Sequence, residues 1–146
     1  MMFAVLGYQI EDADLLSSLR TARRHLHPDG LLAFDLWYGP AVLSQRPESR
    51  VRVINIQGGR LLRHSSGELD IPHHVCTVHF HLQQMAGERT LKETMESHPM
   101  RYFFSDELEQ FLNACGFKPL RLGAFPDFAR DPDESTWSVL AVGRAI

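Results

Sequence analysis

Residues 23–40 read RRHLHPDGLLAFDLWYGP, and this stretch changes from basic to apolar within a few positions. Pro28 cannot continue a helix, and Gly30 can adopt the left-handed conformation that ends one. The apolar run at residues 31–37 is continuous rather than alternating, which is typical of a strand buried on both faces of a parallel sheet. The stretch therefore predicts a helix that ends near Pro28 and a buried strand directly after it.

The residues before this stretch have the spacing of an amphipathic helix. Acidic residues come first and arginines last, as the helix dipole favours. The apolar positions that recur at helical spacing are Leu15, Leu16, Leu19, Ala22 and Leu26.

The middle of the chain has the alternating pattern of antiparallel strands. Four are predicted, at residues 50–56, 60–64, 73–82 and 89–96, separated by Gly58-Gly59, Ser65-Ser66-Gly67 and Ala86-Gly87. One face of this sheet is expected to be polar and the other packed. The paired glycines are interpreted as a tight hairpin turn that needs positive φ.

The last part of the chain predicts one helix and two closing strands. The helix runs from about residue 106 to 115, with Ser105 as its cap and Gly116 as its stop, and it carries an apolar stripe that includes Leu108 and Leu112. The strands lie at residues 117–125 and 136–142. We expect no internal repeat and no second domain, so residues 1–146 form a single α/β domain.

Composition narrows the possible functions. The chain has 146 residues, 44% of them hydrophobic, and a net charge of -3, which does not favour nucleic-acid or membrane binding. It has no apolar run long enough to cross a bilayer and no signal peptide, so a cytoplasmic location is expected. Cys76 and Cys115 are far apart and outside any metal-binding spacing, and they are predicted to be reduced core residues.

Several segments resemble the class I S-adenosylmethionine-dependent methyltransferases. HLHPDGLLAFD (residues 25–35) is similar to the family's HLxPGGxxxFD segment, which ends the fourth helix and forms the fifth strand. MMFAVLGYQIEDADLL (1–16) resembles the end of the fourth strand and the helix after it. MRYFFSDELEQFLNACGF (100–117) and TWSVLAVGR (136–144) are similar to the last helix and the final strand pair.

The resemblance implies the carboxyl-terminal half of a Rossmann-like methyltransferase sheet. Residues 1–40 correspond to the end of strand 4, a helix and strand 5, residues 41–100 to an inserted antiparallel sheet or lid, and residues 101–146 to the last helix and strands. Such an insertion is a feature of the small-molecule branch of the family. The amino-terminal half, with its glycine-rich cofactor loop, has no counterpart here and would account for on the order of 90 residues.

The resemblance also implies positions for the cofactor and for a small-molecule methyl acceptor. Met1, Met2 and Phe3 would border the methionine part of S-adenosyl-L-methionine, and Tyr8 would close over it, although these residues could equally be core or loop packing. The cofactor would bind only if the missing half were supplied. Without that half, one apolar sheet edge is expected to be unpaired and to favour a complementing half or a homo-oligomer.

Asp35, Trp37 and Tyr38 are the candidate substrate residues at the carboxyl end of the buried strand, where α/β sheets bind ligands. Asp35 could orient or deprotonate an acceptor, and the aromatic side chains could form a wall for a methyl-bearing cation. Gly39-Pro40 is expected to turn the chain and hold the aromatic residues over a crevice. The alternative interpretation is that Asp35 caps a loop and Trp37 packs in the core.

His98, Arg101 and Tyr102 are candidates at the point where the antiparallel sheet returns to the main sheet. His98 could act as a base, and Arg101 and Tyr102 could bind the substrate, with Arg101 holding an anionic group. The alternative is a structural ion pair with Glu96 or Glu107.

The histidine-rich stretch at residues 73–81 is not interpreted as a metal site. On a strand, His73, His79 and His81 would share one face, and His74 and Cys76 the other, so the potential ligands are divided. A polar sheet face is expected instead.

The sequence thus predicts S-adenosylmethionine-dependent methyl transfer to a small molecule, with this chain supplying the substrate side. The alternatives are a noncatalytic dimerisation or binding module, and a truncated product without a cofactor site. The identity of the acceptor is not encoded in any recognisable pattern.

Overall fold

The computed structural model describes all residues, Met1–Ile146, and the chain divides into two compact units. Unit 1 comprises Met1–Arg46 and Met100–Ile146, and unit 2 comprises Pro47–Pro99. No helix is both long enough and apolar enough to span a membrane.

Unit 1 is a mixed α/β structure. Its helices are a short 3-10 helix Val5–Tyr8, α1 (Asp12–Arg24), α2 (Gly39–Gln45) and α3 (Ser105–Ala114). Its strands are β1 (Leu31–Tyr38), β6 (Phe117–Ala124), β7 (Ser138–Ala145) and the final residues of β5 (Arg89–Phe103). In its sheet β1 lies between β5 and β7, and β6 follows β7 at the edge. Strand β1 is parallel to β5 and antiparallel to β7, which confirms the α/β prediction.

The core of unit 1 lies between one face of this sheet and the helices α1 and α3. Alternate residues of β1 point to this side and are almost fully buried: Leu32, Phe34 and Leu36. The helices contribute Leu15 and Leu19 from α1 and Leu108 and Leu112 from α3, as the helical spacing predicts. Cys115 belongs to this core, and Cys115 and Cys76 are both free and buried. Burial raises the pKa of the Cys76 thiol to about 11, so the group is uncharged at neutral pH.

Two predicted helix signals have different physical roles in the structure. The left-handed residue before β1 is Asp29, with φ 63°, and not Gly30. Gly30 is required for another reason, since a Cβ there would lie 2.9 Å from the His27 carbonyl oxygen. At α3 the cap position is Phe104, and Ser105 makes no side-chain capping bond, so the predicted Ser105 cap is wrong. Gly116, with φ 78°, follows α3 as predicted.

The first residues do not form the predicted strand end. Ala4 has a left-handed conformation and is followed by the 3-10 helix. Strand-like pairing is limited to Met1, whose amino group donates to the Ala33 carbonyl at 2.7 Å and whose carbonyl accepts from the Asp35 N–H at 3.2 Å. These bonds bracket Phe34 in the pattern of a parallel bridge. Met1 therefore occupies the position that a residue of a parallel neighbouring strand would have beside β1.

A further difference follows β1, where the predicted turn at Gly39-Pro40 is instead the beginning of α2. Proline suits the first turn of a helix because its missing N–H has no partner there in any case. A Cβ on Gly39 would come within 2.8 Å of the Phe104 ring, so glycine is needed for close packing.

Unit 2 is an antiparallel sheet of β2 (Arg50–Ile56), β3 (Gly59–Asp70), β4 (Val75–Ala86) and β5, in that order. The registers place Leu61, Phe80, Leu82 and Ile54 on one face, and His64, His79 and His81 on the other. Arg52 and Arg63 share the first face, and Val51, Val53 and Leu62 share the second, so both faces are mixed and the predicted division into a polar face and a packed face is wrong. The predicted break at Ser65-Ser66-Gly67 is wrong, because β3 continues through these residues to Asp70.

Candidate functional site

The carboxyl end of β1 separates the predicted substrate residues between two faces of the sheet. Asp35 and Trp37 are two positions apart and share a face, whereas Tyr38 points to the opposite side. Tyr102 is directly opposite Trp37 in the register and therefore shares its face. Arg101 and Phe103, its neighbours along β5, point the other way. The sequence-based prediction placed these residues correctly at the end of the strand, but it did not assign them to different faces of the sheet.

Asp35 holds the N-terminal segment. Its carboxylate Oδ1 accepts a hydrogen bond from the Ala4 N–H at 3.0 Å, and the side chain is buried, since the residue is 8% exposed. The backbone N–H of Asp35 donates to Met1, as described above. This arrangement corresponds to the loop-capping alternative, and the catalytic role of Asp35 stays a prediction.

Trp37 forms an aromatic pair with Trp137, which the sequence did not predict as a site residue. The two indole rings are 5.6 Å apart in an edge-to-face arrangement, and both residues are half-buried. Trp137 immediately precedes β7, and its carbonyl accepts from the Tyr38 N–H at 2.9 Å. The pairing of β1 with β7 brings the two tryptophans together. In the sequence, this contact was indicated by the segment TWSVLAVGR, which contains Trp137 and resembles a strand of the final pair.

Tyr38 and Tyr102 differ in their accessibility. Tyr38 packs against the hydrophobic core of unit 1. Tyr102 is 0% exposed, and its ring makes an edge-to-face contact with Phe104 at 6.1 Å. Tyr102 is therefore not accessible, whereas Tyr38 is half-buried like Trp37 and Trp137, and substrate binding by either tyrosine stays a prediction.

Arg101 is the centre of a buried ion-pair network on the helix-covered face. Its guanidinium donates to Asp12 at 2.6 Å, to the Ile10 carbonyl at 3.1 Å and to Glu107, and its side chain is 8% exposed. The same group lies over the rings of Phe103 and Phe111, at 5.5 and 5.1 Å. Burial works against the charged form, but the hydrogen bonds to Asp12 and Glu107 outweigh it and raise the pKa of Arg101. The pair with Glu107 is the structural alternative, and a substrate role for Arg101 stays a prediction.

His98 lies in unit 2, whereas the other predicted substrate residues lie in unit 1. Its Nε2 is 3.2 Å from a carboxylate oxygen of Glu96, and its ring contacts Phe80 edge-to-face at 5.7 Å. The pair with Glu96 matches the structural alternative. A role for His98 as a base remains untested.

The histidines of β4 pair with groups on neighbouring strands. His79 Nδ1 is 2.8 Å from the Ser97 hydroxyl, and His81 contacts the Glu93 carboxylate. The hydrogen bond from His81 lowers the pKa of Glu93. His73 precedes β4, in the turn, and contacts Asp70. No group of three potential ligands comes together to hold a metal ion.

The predicted cofactor residues form an exposed apolar surface beside Asp35. Phe3 is 90% exposed, Met1 and Met2 are 40% exposed, and Tyr8 is 49% exposed. Phe3 and Ala4 both have positive φ, 68° and 52°, so the backbone turns sharply away from the direction of a strand. These residues could line one side of a ligand, but the chain has no glycine-rich loop at this edge, and the residues present do not form a complete cofactor site.

Comparison with known proteins identifies the fold. No protein-family model and no curated protein matches the chain. Solved structures do match: an S-adenosylmethionine-dependent methyltransferase from Clostridium acetobutylicum has a TM-score of 0.78 at 15% identity, over 99% of this chain and 56% of that one. The sugar N-methyltransferase of a Streptoalloteichus species has a TM-score of 0.73 at 19% identity, over 96% of this chain and 52% of that one.

A third similar structure contains the cofactor of this fold. It is an amino pentose methyltransferase from Micromonospora echinaspora with S-adenosylmethionine bound, and it has a TM-score of 0.74 at 14% identity. The alignment covers 99% of this chain and 56% of that enzyme. The chain therefore has the fold of the class I S-adenosylmethionine-dependent methyltransferases, over little more than half of the length of the solved examples.

Proposed function

We propose that this chain is the carboxyl-terminal, substrate-side part of an S-adenosylmethionine-dependent methyltransferase that acts on a small molecule. The observation that carries the proposal is the near-complete coverage of this chain by methyltransferase structures of which it spans about half. Two of the similar structures are described as sugar or amino pentose methyltransferases. By analogy, an amine-bearing sugar is the acceptor class that we would test first.

The cofactor site would be completed by a segment outside these residues. S-adenosylmethionine supplies a methyl group on a positively charged sulfur, and the acceptor must be aligned with it. Met1, Met2, Phe3 and Tyr8 offer an apolar border for such a ligand. The anchor for that border is Asp35, through its bond to Ala4.

The substrate side would be the face of β1 that carries Asp35 and Trp37. The half-buried Trp37–Trp137 pair provides an aromatic wall, which attracts a cationic or methylated amine through its π-electrons. The Asp35 carboxylate on the same face would add a negative charge that favours an amine. Nothing in this arrangement requires a metal ion.

Substitution of Trp37 tests this assignment. In the Trp37→Leu variant, we expect binding of a nucleotide-linked amino sugar to weaken by about fivefold, because a cation–π contact contributes about 1 kcal/mol. The measurement is ligand-observed NMR with the full chain. Phe128→Leu, the same kind of change at a half-buried aromatic residue that lies beside Arg121 and outside the candidate site, is the matched control and should leave the affinity unchanged.

Two results would contradict the proposal. One is an acceptor that binds equally well to folded Trp37→Leu protein. The other is a folded wild-type chain that binds none of a panel of amino sugars, phenols and carboxylates. Circular dichroism on each variant would distinguish lost binding from lost structure.

A further inference from the structure

The turn at residues 130–136 ends directly before Trp137. It lies in unit 1 between β6 and β7, and its last residue is Thr136. Thr136 is 4% exposed, and the other buried polar or charged residues, Asp35 and Arg101, were both candidates from the sequence, whereas Thr136 was not. A buried hydroxyl is costly unless it is hydrogen-bonded, so the partners of Thr136 indicate its role.

The Thr136 hydroxyl uses its full hydrogen-bonding capacity. It donates to Oδ1 of Asp133 at 3.0 Å, and it accepts from the Asp133 N–H at 3.1 Å and from the Arg130 guanidinium at 3.0 Å. A hydroxyl has one hydrogen and two lone pairs, so all of its positions are occupied. The backbone N–H of Thr136 also donates to the Asp133 carbonyl, at 2.9 Å. Contacts within the turn therefore fix both the position and the orientation of Thr136.

Asp133 organises the rest of the turn. Its Oδ1 atom also accepts from the Ser135 N–H at 2.9 Å and from the Ser135 hydroxyl at 2.6 Å, and its Oδ2 atom lies 3.2 Å from the Arg130 guanidinium. The hydrogen bonds from Ser135 and Thr136 lower the pKa of Asp133 to about 2, so the carboxylate is ionised at neutral pH. One carboxylate thus holds the two residues that lead into Trp137.

The sheet holds the turn on both sides. At the end of β6, the Ala124 N–H donates to the Arg130 carbonyl at 2.9 Å. At the end of β1, the Tyr38 N–H donates to the Trp137 carbonyl at 2.9 Å. The backbone is therefore fixed before and after the indole ring that packs against Trp37.

From these contacts we infer that Thr136 is a positioning residue for Trp137. Its hydroxyl, together with Asp133 and Arg130, holds the chain so that the indole ring stays in its edge-to-face contact with Trp37, at 5.6 Å. An aromatic wall that is already ordered loses less conformational entropy when a ligand binds to it. The effect on the acceptor rests on the proposed function, whereas the arrangement of the two tryptophans can be measured without any ligand.

Circular dichroism of the tryptophan pair tests the positioning role. Trp37 and Trp137 are the only tryptophans of the chain, so an exciton couplet from neighbouring indole rings reports on this pair alone. Thr136→Val keeps the shape of the side chain and removes the hydroxyl. We expect it to weaken the couplet by about half, because the edge-to-face geometry is no longer fixed. Thr136→Ser retains the hydroxyl and should retain the couplet. Thr21→Val, the same change at an exposed threonine of α1, is the matched control and should give the wild-type spectrum.

Acceptor binding tests the consequence for the proposed site. Folded Thr136→Val protein should bind a nucleotide-linked amino sugar about threefold more weakly than the wild type, because the ligand must then order the indole ring. Thr136→Ser and Thr21→Val should bind it like the wild type. If the wild-type chain binds no acceptor, the proposed function fails, and the couplet alone then decides whether Thr136 positions Trp137.

Two results would overturn the inference. One is an unchanged couplet in folded Thr136→Val protein, and the other is a weakened couplet with unchanged binding of an acceptor that the wild type binds. If Thr136→Val does not fold, Asp133→Ala provides the same test, because it removes the acceptor of the Thr136 hydroxyl at a side chain that is 60% exposed. An unchanged couplet in that variant would contradict the inference equally.

Discussion

Replacing Arg101 with methionine is expected to lower the free energy of unfolding of unit 1 by about 3 kcal/mol. Methionine retains an apolar stem against Phe103 and Phe111 but removes the positive charge that satisfies Glu107, whose side chain is only 21% exposed. Asp12 is 68% exposed and can be solvated, so the expected loss lies at the lower end of the range for breaking a buried ion pair. Both tryptophans, Trp37 and Trp137, belong to unit 1, and their fluorescence during urea unfolding measures the effect.

Two further variants show whether the loss comes from an uncompensated charge. Glu107→Gln, added to Arg101→Met, should recover part of the stability because it removes the negative charge that Arg101 balances. Arg144→Met removes an exposed pair with Asp29, also in unit 1, and should cost less than about 1 kcal/mol. If Arg101→Met were as stable as the wild type but lost acceptor binding, Arg101 would be a substrate residue and the structural account of it would be wrong.

Gly59→Ala is expected to destabilise unit 2 by about 3 kcal/mol. A Cβ on Gly59 would lie 1.9 Å from the carbonyl oxygen of Met85 and 3.0 Å from its carbonyl carbon, so the backbones of β3 and β4 must separate. Hydrogen exchange of the β3 and β4 amides reports this loss without relying on the tryptophans of unit 1.

The neighbouring Gly58 provides a matched control with a different cause. It has φ 81° and open space around its Cβ position, so Gly58→Ala should cost about 1 kcal/mol from backbone strain alone. Gly58→Asn should cost less, because asparagine tolerates this conformation. Equal losses for Gly58→Ala and Gly59→Ala would show that the close approach to Met85 does not determine the identity of Gly59.

Local patterns predicted most of the fold because they depend on neighbouring residues. The buried strand, the helices α1 and α3 and the hairpin at Gly58 each follow from periodicity or turn chemistry in a short window. The alternation within β1 also indicates that Tyr38 faces away from Asp35 and Trp37, although the three residues were predicted to form one group.

Long-range contacts explain what the sequence could not predict. Gly67 was interpreted as a break, but β3 passes through it. Glycine is needed there because Pro47 lies 2.5 Å from the position of a Cβ, a contact between residues far apart in the chain. Trp137 becomes a neighbour of Trp37 only through the pairing of β7 with β1. Arg101 lies between Asp12 and Glu107 because α1 and α3 cover the same face of the sheet.

The decisive measurement is the binding of S-adenosylhomocysteine, by calorimetry, to this chain and to the chain extended by the in-frame codons upstream of Met1. If the chain is the substrate-side half of a methyltransferase, the extension will encode a strand followed by a glycine-rich loop, and the extended protein will bind the ligand while the 146-residue chain will not. A stop codon close upstream, or an extended and folded protein that does not bind, would contradict the methyltransferase assignment. Equal binding by both proteins would contradict the proposal that part of the cofactor site lies outside the 146-residue chain.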